Sequence, residues 1–174
     1  EYEWCAMLTE LNTRLKEYGQ REKVRLGSTF SGIFCIDDQY MIVHVGDSRI
    51  YCIENDITQL TEDHTLVARK VKMGEIKPED VETHPQRNVL TQCVGASRNL
   101  KPQVIFGENH KNTIFMLCSD GFRHVLTKHE MIDAFSPKNM GTMKDLEHAG
   151  QEMVDLVKQR NETDNITVAL LKRW

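Results

Sequence analysis

The sequence predicts an α+β fold in which antiparallel sheets are covered by helices. Three observations carry this reading. Short apolar runs follow one another with turn dipeptides between them, as at Asp37-Asp38 and Asn55-Asp56, which is the pattern of a meander. Helical periodicity is concentrated toward the two ends of the chain, and strands do not alternate with helices. No internal repeat or low-complexity linker divides the 174 residues, so 1–174 reads as a single domain with enough chain to bury a core.

Residues 3–18 read as a helix because Trp4, Leu8, Leu11, Leu15 and Tyr18 fall on one face, with Gly19 as its stop. Strands are predicted at Ser28–Ile36, Tyr40–Val45, Ile50–Glu54 and Ile57–Leu60. Thr65–Met73 reads as a short helix ended by Gly74, and the polar stretch Ile76–Arg87, with two prolines, as loop. Asn88–Val94, Gln103–Gly107 and Thr113–Cys118 are further strands. Thr127 and Glu130 form a capping box for a helix ending near Phe135. Thr142 opens a longer helix with Met143, Leu146, Ala149, Met153, Leu156 and Val157 as apolar positions and Asp145 in its first turn. Asn165–Leu171 closes the chain as a strand.

Lys and Arg total 22 against 26 Asp and Glu, a net charge of −4 that argues against nucleic acid as a partner. No apolar run has the length of a membrane span. Glu1-Tyr2-Glu3-Trp4 shows neither a basic n-region nor an apolar h-region, so no signal peptide is expected, and a first residue other than Met fits a processed or partial chain. The cysteines, at 5, 35, 52, 93 and 118, are odd in number and form no CxxC pair, which favours reduced thiols and a cytoplasmic location.

Three carboxylates stand at the edges of apolar runs: Asp47 after Val43-His44-Val45-Gly46, Asp120 after Phe115–Ser119, and Asp164 before Asn165-Ile166-Thr167-Val168. A carboxylate at a strand end needs a partner, a hydrogen bond or a cation. Three converging at one sheet rim would suit Mg²⁺ or Mn²⁺ rather than zinc. Taken singly, each reads first as a turn residue, since Asp before Gly or Asn is ordinary turn chemistry. Arg87 and Arg49 can be read as phosphate-binding guanidinium groups or as surface ion pairs, and His64 and His84 as solvated loop histidines.

Six segments stand in a distinctive order: Gly27-Ser28-Thr29, Gly46-Asp47-Ser48-Arg49-Ile50-Tyr51, Gln59–Thr65, His84–Thr91, Cys118-Ser119-Asp120-Gly121-Phe122 and Thr163–Val168. This order resembles the metal-dependent serine/threonine protein phosphatases of type 2C, in the bacterial style, from Gly27 to Leu171. The resemblance implies a sandwich of two antiparallel sheets with helices outside, in α-β-β-α layers. It implies two Mn²⁺ or Mg²⁺ ions, attack on phosphorus by a metal-activated water, no phosphoenzyme, and phosphorylated proteins as substrates. Asp120 and Asp164 match metal aspartates, and Asp47 the aspartate of a third, weaker metal; Arg87 and Arg49 are the candidate substrate contacts. A Ser/Thr kinase is the implied counterpart.

The family's opening segment, with its Arg for the substrate phosphate and its metal-bridging Asp-Gly, has no match here, because Asp-Gly occurs once, at Asp120-Gly121. The fold is therefore expected to be incomplete at the N-terminus, with exposed sheet edges. Two core carboxylates are not expected to hold two divalent ions tightly. The alternative to a phosphatase is an inactive relative that binds phosphoproteins or a kinase. Ser28 and Thr65 stand where Thr and Ser are usual.

Overall fold

A computed structural model describes residues Glu1–Arg173. The elements are α1 (Tyr2–Glu22), β1 (Phe30–Ile36), β2 (Gln39–Val45), β3 (Arg49–Ile53), β4 (Ile57–Gln59), α2 (Leu66–Lys72), β5 (Gln103–Glu108), β6 (Ile114–Cys118), α3 (Asp120–Arg123), α4 (Lys128–Ala134), α5 (Met143–Gln159) and β7 (Val168–Lys172). They form a three-stranded sheet ordered β1-β2-β5 and a four-stranded sheet ordered β4-β3-β6-β7. The mixture of sheets and helices agrees with the fold class expected from sequence. The chain divides into two compact units: Glu1–Phe34 with Met41–Asp47 and Glu62–Phe106, and Cys35–Tyr40 with Ser48–Thr61 and Gly107 onward.

In the first unit α1 supplies Leu8 to a core with Val43, Val45 and Val94, and Trp4, Leu15, Phe30 and Phe34 pack around it. The Trp4 ring lies 4.4 Å from that of Phe34. The buried stripe of α1 differs from the predicted one: Asn12 is buried, while Leu11 and Tyr18 are 41% and 46% exposed. An amide is tolerated inside because both its ends are satisfied. Asn12 Nδ2 donates to the Ser97 carbonyl at 3.1 Å, and Oδ1 accepts the Gly95 N–H at 2.9 Å. The helix also runs past Gly19 to Glu22, and Lys23 takes the left-handed cap at φ 57°.

The predicted strand Asn88–Val94 is not formed. Its backbone groups go to scattered partners: Val89 O accepts from Leu66 N, Thr91 N donates to His64 O, and Val94 exchanges both bonds with Ser28. The result is a pair of isolated bridges, Thr65 with Leu90 and Ser28 with Val94, in place of a ladder. Ser28 accordingly lies outside β1.

In the second unit every pairing of the four-stranded sheet is antiparallel, with Arg49 opposite Cys118 and Cys118 opposite Val168. Side chains alternate along a strand, so Tyr51, Ile53, Ile114, Met116 and Cys118 share one face. They join Phe122 of α3, Met131 of α4, Phe135, and Leu146, Ala149, Met153 and Val157 of α5 in one core. Both predicted helix starts are full capping boxes, Thr127 with Glu130 and Thr142 with Asp145. β7 begins at Val168 rather than Asn165 because Ser119 Oγ intervenes, donating to Asn165 O at 2.9 Å and accepting Thr167 N–H at 3.1 Å.

Candidate metal-binding site

Asp120 and Asp164 are brought to the same end of the four-stranded sheet. β6 ends at Cys118 and β7 begins at its partner Val168, so the segments beyond them are neighbours. Ser119 stitches these segments together: its N–H donates to Thr167 O at 3.0 Å, in addition to its two side-chain bonds. Asp120 then opens α3, a four-residue helix that the sequence did not announce. One carboxylate oxygen of each aspartate is taken by the next amide. Asp120 Oδ1 accepts Gly121 N–H at 2.9 Å, and Asp164 Oδ1 accepts Asn165 N–H at 2.7 Å.

Gly121 permits this approach. A Cβ there would stand 2.7 Å from the Asn165 carbonyl oxygen and 3.1 Å from Asp164 Cβ. The nearest obstacle is backbone and cannot rotate away. Gly121→Ala is therefore expected to destabilise the protein by about 1–3 kcal/mol, the usual cost of overpacking, measurable by urea unfolding.

Arg49 begins β3 directly opposite Cys118, and so belongs to the same sheet end as the two aspartates. It donates to Tyr51 Oη at 3.1 Å.

Asp47 and Arg87 belong to the other compact unit. Asp47 follows Gly46, whose φ of 117° is open to glycine, and where a Cβ would meet Thr29 Cγ2 at 2.3 Å. Gly46 is held on both sides by histidines. Its N–H donates to His64 Nδ1 at 3.1 Å, and its carbonyl accepts from His64 N–H at 2.7 Å and from His44 Nε2 at 3.0 Å. His64, read as a solvated loop residue, is instead half-buried and fixes the turn before Asp47. Arg87 donates to the Glu82 carbonyl at 2.9 Å within its own loop.

Glu162 was not singled out from the sequence. Its side chain is only 8% exposed. Oε1 accepts the N–H groups of Thr163 at 2.8 Å and Asp164 at 3.0 Å, and Oε2 meets His124 Nδ1 at 2.8 Å. The Asp164 amide, followed by His124, holds the Glu162 carboxyl below its usual range. In a polar run such as Asn161-Glu162-Thr163-Asp164 nothing local signals a buried acid. The signal lies in His124, 38 residues away.

The donors present at this sheet end are hard oxygens, which fit a magnesium-like cation in kind. Such an ion is commonly held by one or two carboxylates, with waters and substrate phosphate completing its shell. Among the described residues, no group of three or more His, Cys, Asp or Glu side chains is placed to hold a metal ion, so the candidate protein ligands here are two, Asp120 and Asp164. They fit one such cation and fall short of a closed cage for two.

No protein-family model matches the chain. A 2C-type protein phosphatase described as putative, from Streptococcus pyogenes serotype M6, is 32% identical over 162 residues, covering 92% of this chain and 64% of the relative. The protein phosphatase PhpP of Streptococcus pneumoniae is 33% identical over 172 residues, covering 97% of this chain and 68% of the relative. The solved serine/threonine phosphatase of S. agalactiae superposes with a TM-score of 0.89 at 28% identity, covering 98% of this chain and 69% of that one. The fold thus coincides with that of solved bacterial serine/threonine phosphatases. This chain belongs to the type 2C protein phosphatase family. It spans about two thirds of the length of the relatives it matches.

Proposed function

We propose that the protein to which this chain belongs hydrolyses phosphoserine and phosphothreonine in proteins, using a divalent cation held by Asp120 and Asp164. The observation that carries this reading is the placement of those aspartates on adjoining strand ends in a chain of this family. Mn²⁺ or Mg²⁺ held there would lower the pKa of a water so that its deprotonated form could serve as the nucleophile toward phosphorus, and would supply charge that offsets the phosphoryl oxygens. The residues do the rest. Asp120 and Asp164 each keep one oxygen in a turn and present the carboxylate from a rigid sheet end. Arg49, on the neighbouring strand, is suited to take phosphoryl oxygens through its planar fork. We assign Asp47 to a further, weaker cation and Arg87 to the substrate phosphate on the family resemblance alone.

The substrates are phosphorylated proteins, and the reaction that must supply them is protein phosphorylation by a Ser/Thr kinase. No helix among the described residues is long and apolar enough to cross a membrane. Five cysteines outside any disulfide support a reducing, cytoplasmic setting. The reading is tested by phosphate release from a phosphothreonine peptide with Mn²⁺ and with a chelator. Release that stops with the chelator and returns with Mn²⁺ is expected; release indifferent to both contradicts it.

A further inference from the structure

We infer that Glu162 is a positioning residue for Asp164: anchored by His124, its carboxylate fixes the Thr163–Asp164 turn so that Asp164 is already presented to a divalent cation before one binds. The inference rests on the reading of Asp164 as a metal ligand. Thr163, Asp164 and Asn165 are all exposed, and a loop of this composition would ordinarily be free to sample many shapes. Glu162 is the exception, with its side chain folded inward to 8% exposure. A carboxylate withdrawn from water needs donors, and here it has three: two successive backbone amides and one imidazole.

The anchor also connects the two aspartates. His124 follows α3 directly, and its N–H donates to the Asp120 carbonyl at 2.9 Å. One carboxylate therefore ties the helix that starts with Asp120 to the turn that carries Asp164. It touches no substrate in this reading and acts only through Asp164. Groups that orient metal ligands in this way typically change metal affinity by about 10–100-fold when removed.

The test is Mn²⁺ affinity, followed by electron paramagnetic resonance, together with hydrogen exchange at the Thr163 and Asp164 amides. Glu162→Ala is expected to weaken Mn²⁺ binding about 10–100-fold and to expose both amides. Glu162→Gln keeps an acceptor oxygen, so it is expected to retain the amide protection and lose less affinity. A folded Glu162→Ala protein with unchanged Mn²⁺ affinity overturns the inference, whether or not the amides open, because Glu162 would then shape only its own loop. If Glu162→Ala does not fold, His124→Ala decides: weaker Mn²⁺ binding supports the anchor and unchanged binding overturns it. Asp164→Asn in the same titration separates the two readings. If it binds Mn²⁺ as the unaltered protein does, Asp164 is not a ligand and both readings fall. If it binds weakly while Glu162→Ala is unchanged, only the positioning role falls.

Discussion

Asp120→Asn and Asp164→Asn are each expected to lower kcat/KM for a phosphothreonine peptide by about a hundredfold or more, since removing even a group behind a metal ligand commonly costs 10–100-fold. The substitution keeps the shape of the side chain and removes its charge. It also keeps an oxygen for the local bond, Gly121 N–H in one case and Asn165 N–H in the other, so the turn survives. The fold should therefore be retained while a hard anionic ligand is replaced by a weaker neutral one. The two losses should not add, because either one disables the same centre. Steady-state kinetics across a Mn²⁺ titration measures both effects. A variant that keeps nearly all its activity at low Mn²⁺ would remove that aspartate from the site.

Stability is expected to fall by about 2 kcal/mol between pH 7.5 and pH 5, through His44. This imidazole has no exposed surface. Nε2 lies 3.0 Å from Gly46 O and 3.2 Å from Glu62 O, both pure acceptors, so it carries the hydrogen. Nδ1 then accepts from Ser31 Oγ at 2.8 Å, and the neutral ring is satisfied on both sides. Burial first, and then His64, push its pKa from 6.5 to about 4, against the Gly46 and Glu62 carbonyls and the Asp63 carboxylate, which favour the charged form. His64 is displaced in the same direction, mainly by burial, with Glu62 and Asp63 opposing.

The direction follows from linkage. Above pH 6.5 both folded and unfolded chains hold a neutral ring. Below it the unfolded chain takes a proton that the folded one refuses, so stability drops until the folded pKa near 4 is passed. Asp56, Glu130, Asp145 and Glu162 have lowered pKa values and act mainly below this window. Urea unfolding at the two pH values, with His44→Gln as comparison, checks the effect. The variant keeps a donor and an acceptor, and its stability should change much less with pH. An equal drop in both proteins would assign the proton uptake elsewhere.

The candidate carboxylates were legible because they sit where apolar alternation stops. Asp120 and Asp164 stand out at strand edges, and their adjacency follows from strands that do form, β6 and β7. Glu162 was hidden because the partner of its inward-folded carboxylate is a histidine 38 residues away, just after a short helix. Arg49 could be read either way from the sequence, and its place at the sheet end of the two aspartates depends on a register, opposite Cys118, that no local pattern encodes. The capping boxes were readable because they are local, with every partner within three residues. The α1 stripe and the segment 88–94 were misread for the opposite reason. Asn12 is buried by bonds to residues 95 and 97, and Val94 pairs with Ser28, contacts that no periodicity encodes.

Anomalous scattering from crystals of the protein grown with Mn²⁺ addresses the assignment of the two aspartates without reference to turnover. A peak within coordination distance of both the Asp120 and the Asp164 carboxylates is expected. A well-ordered sheet end with no peak there, or Mn²⁺ bound only elsewhere, would contradict it.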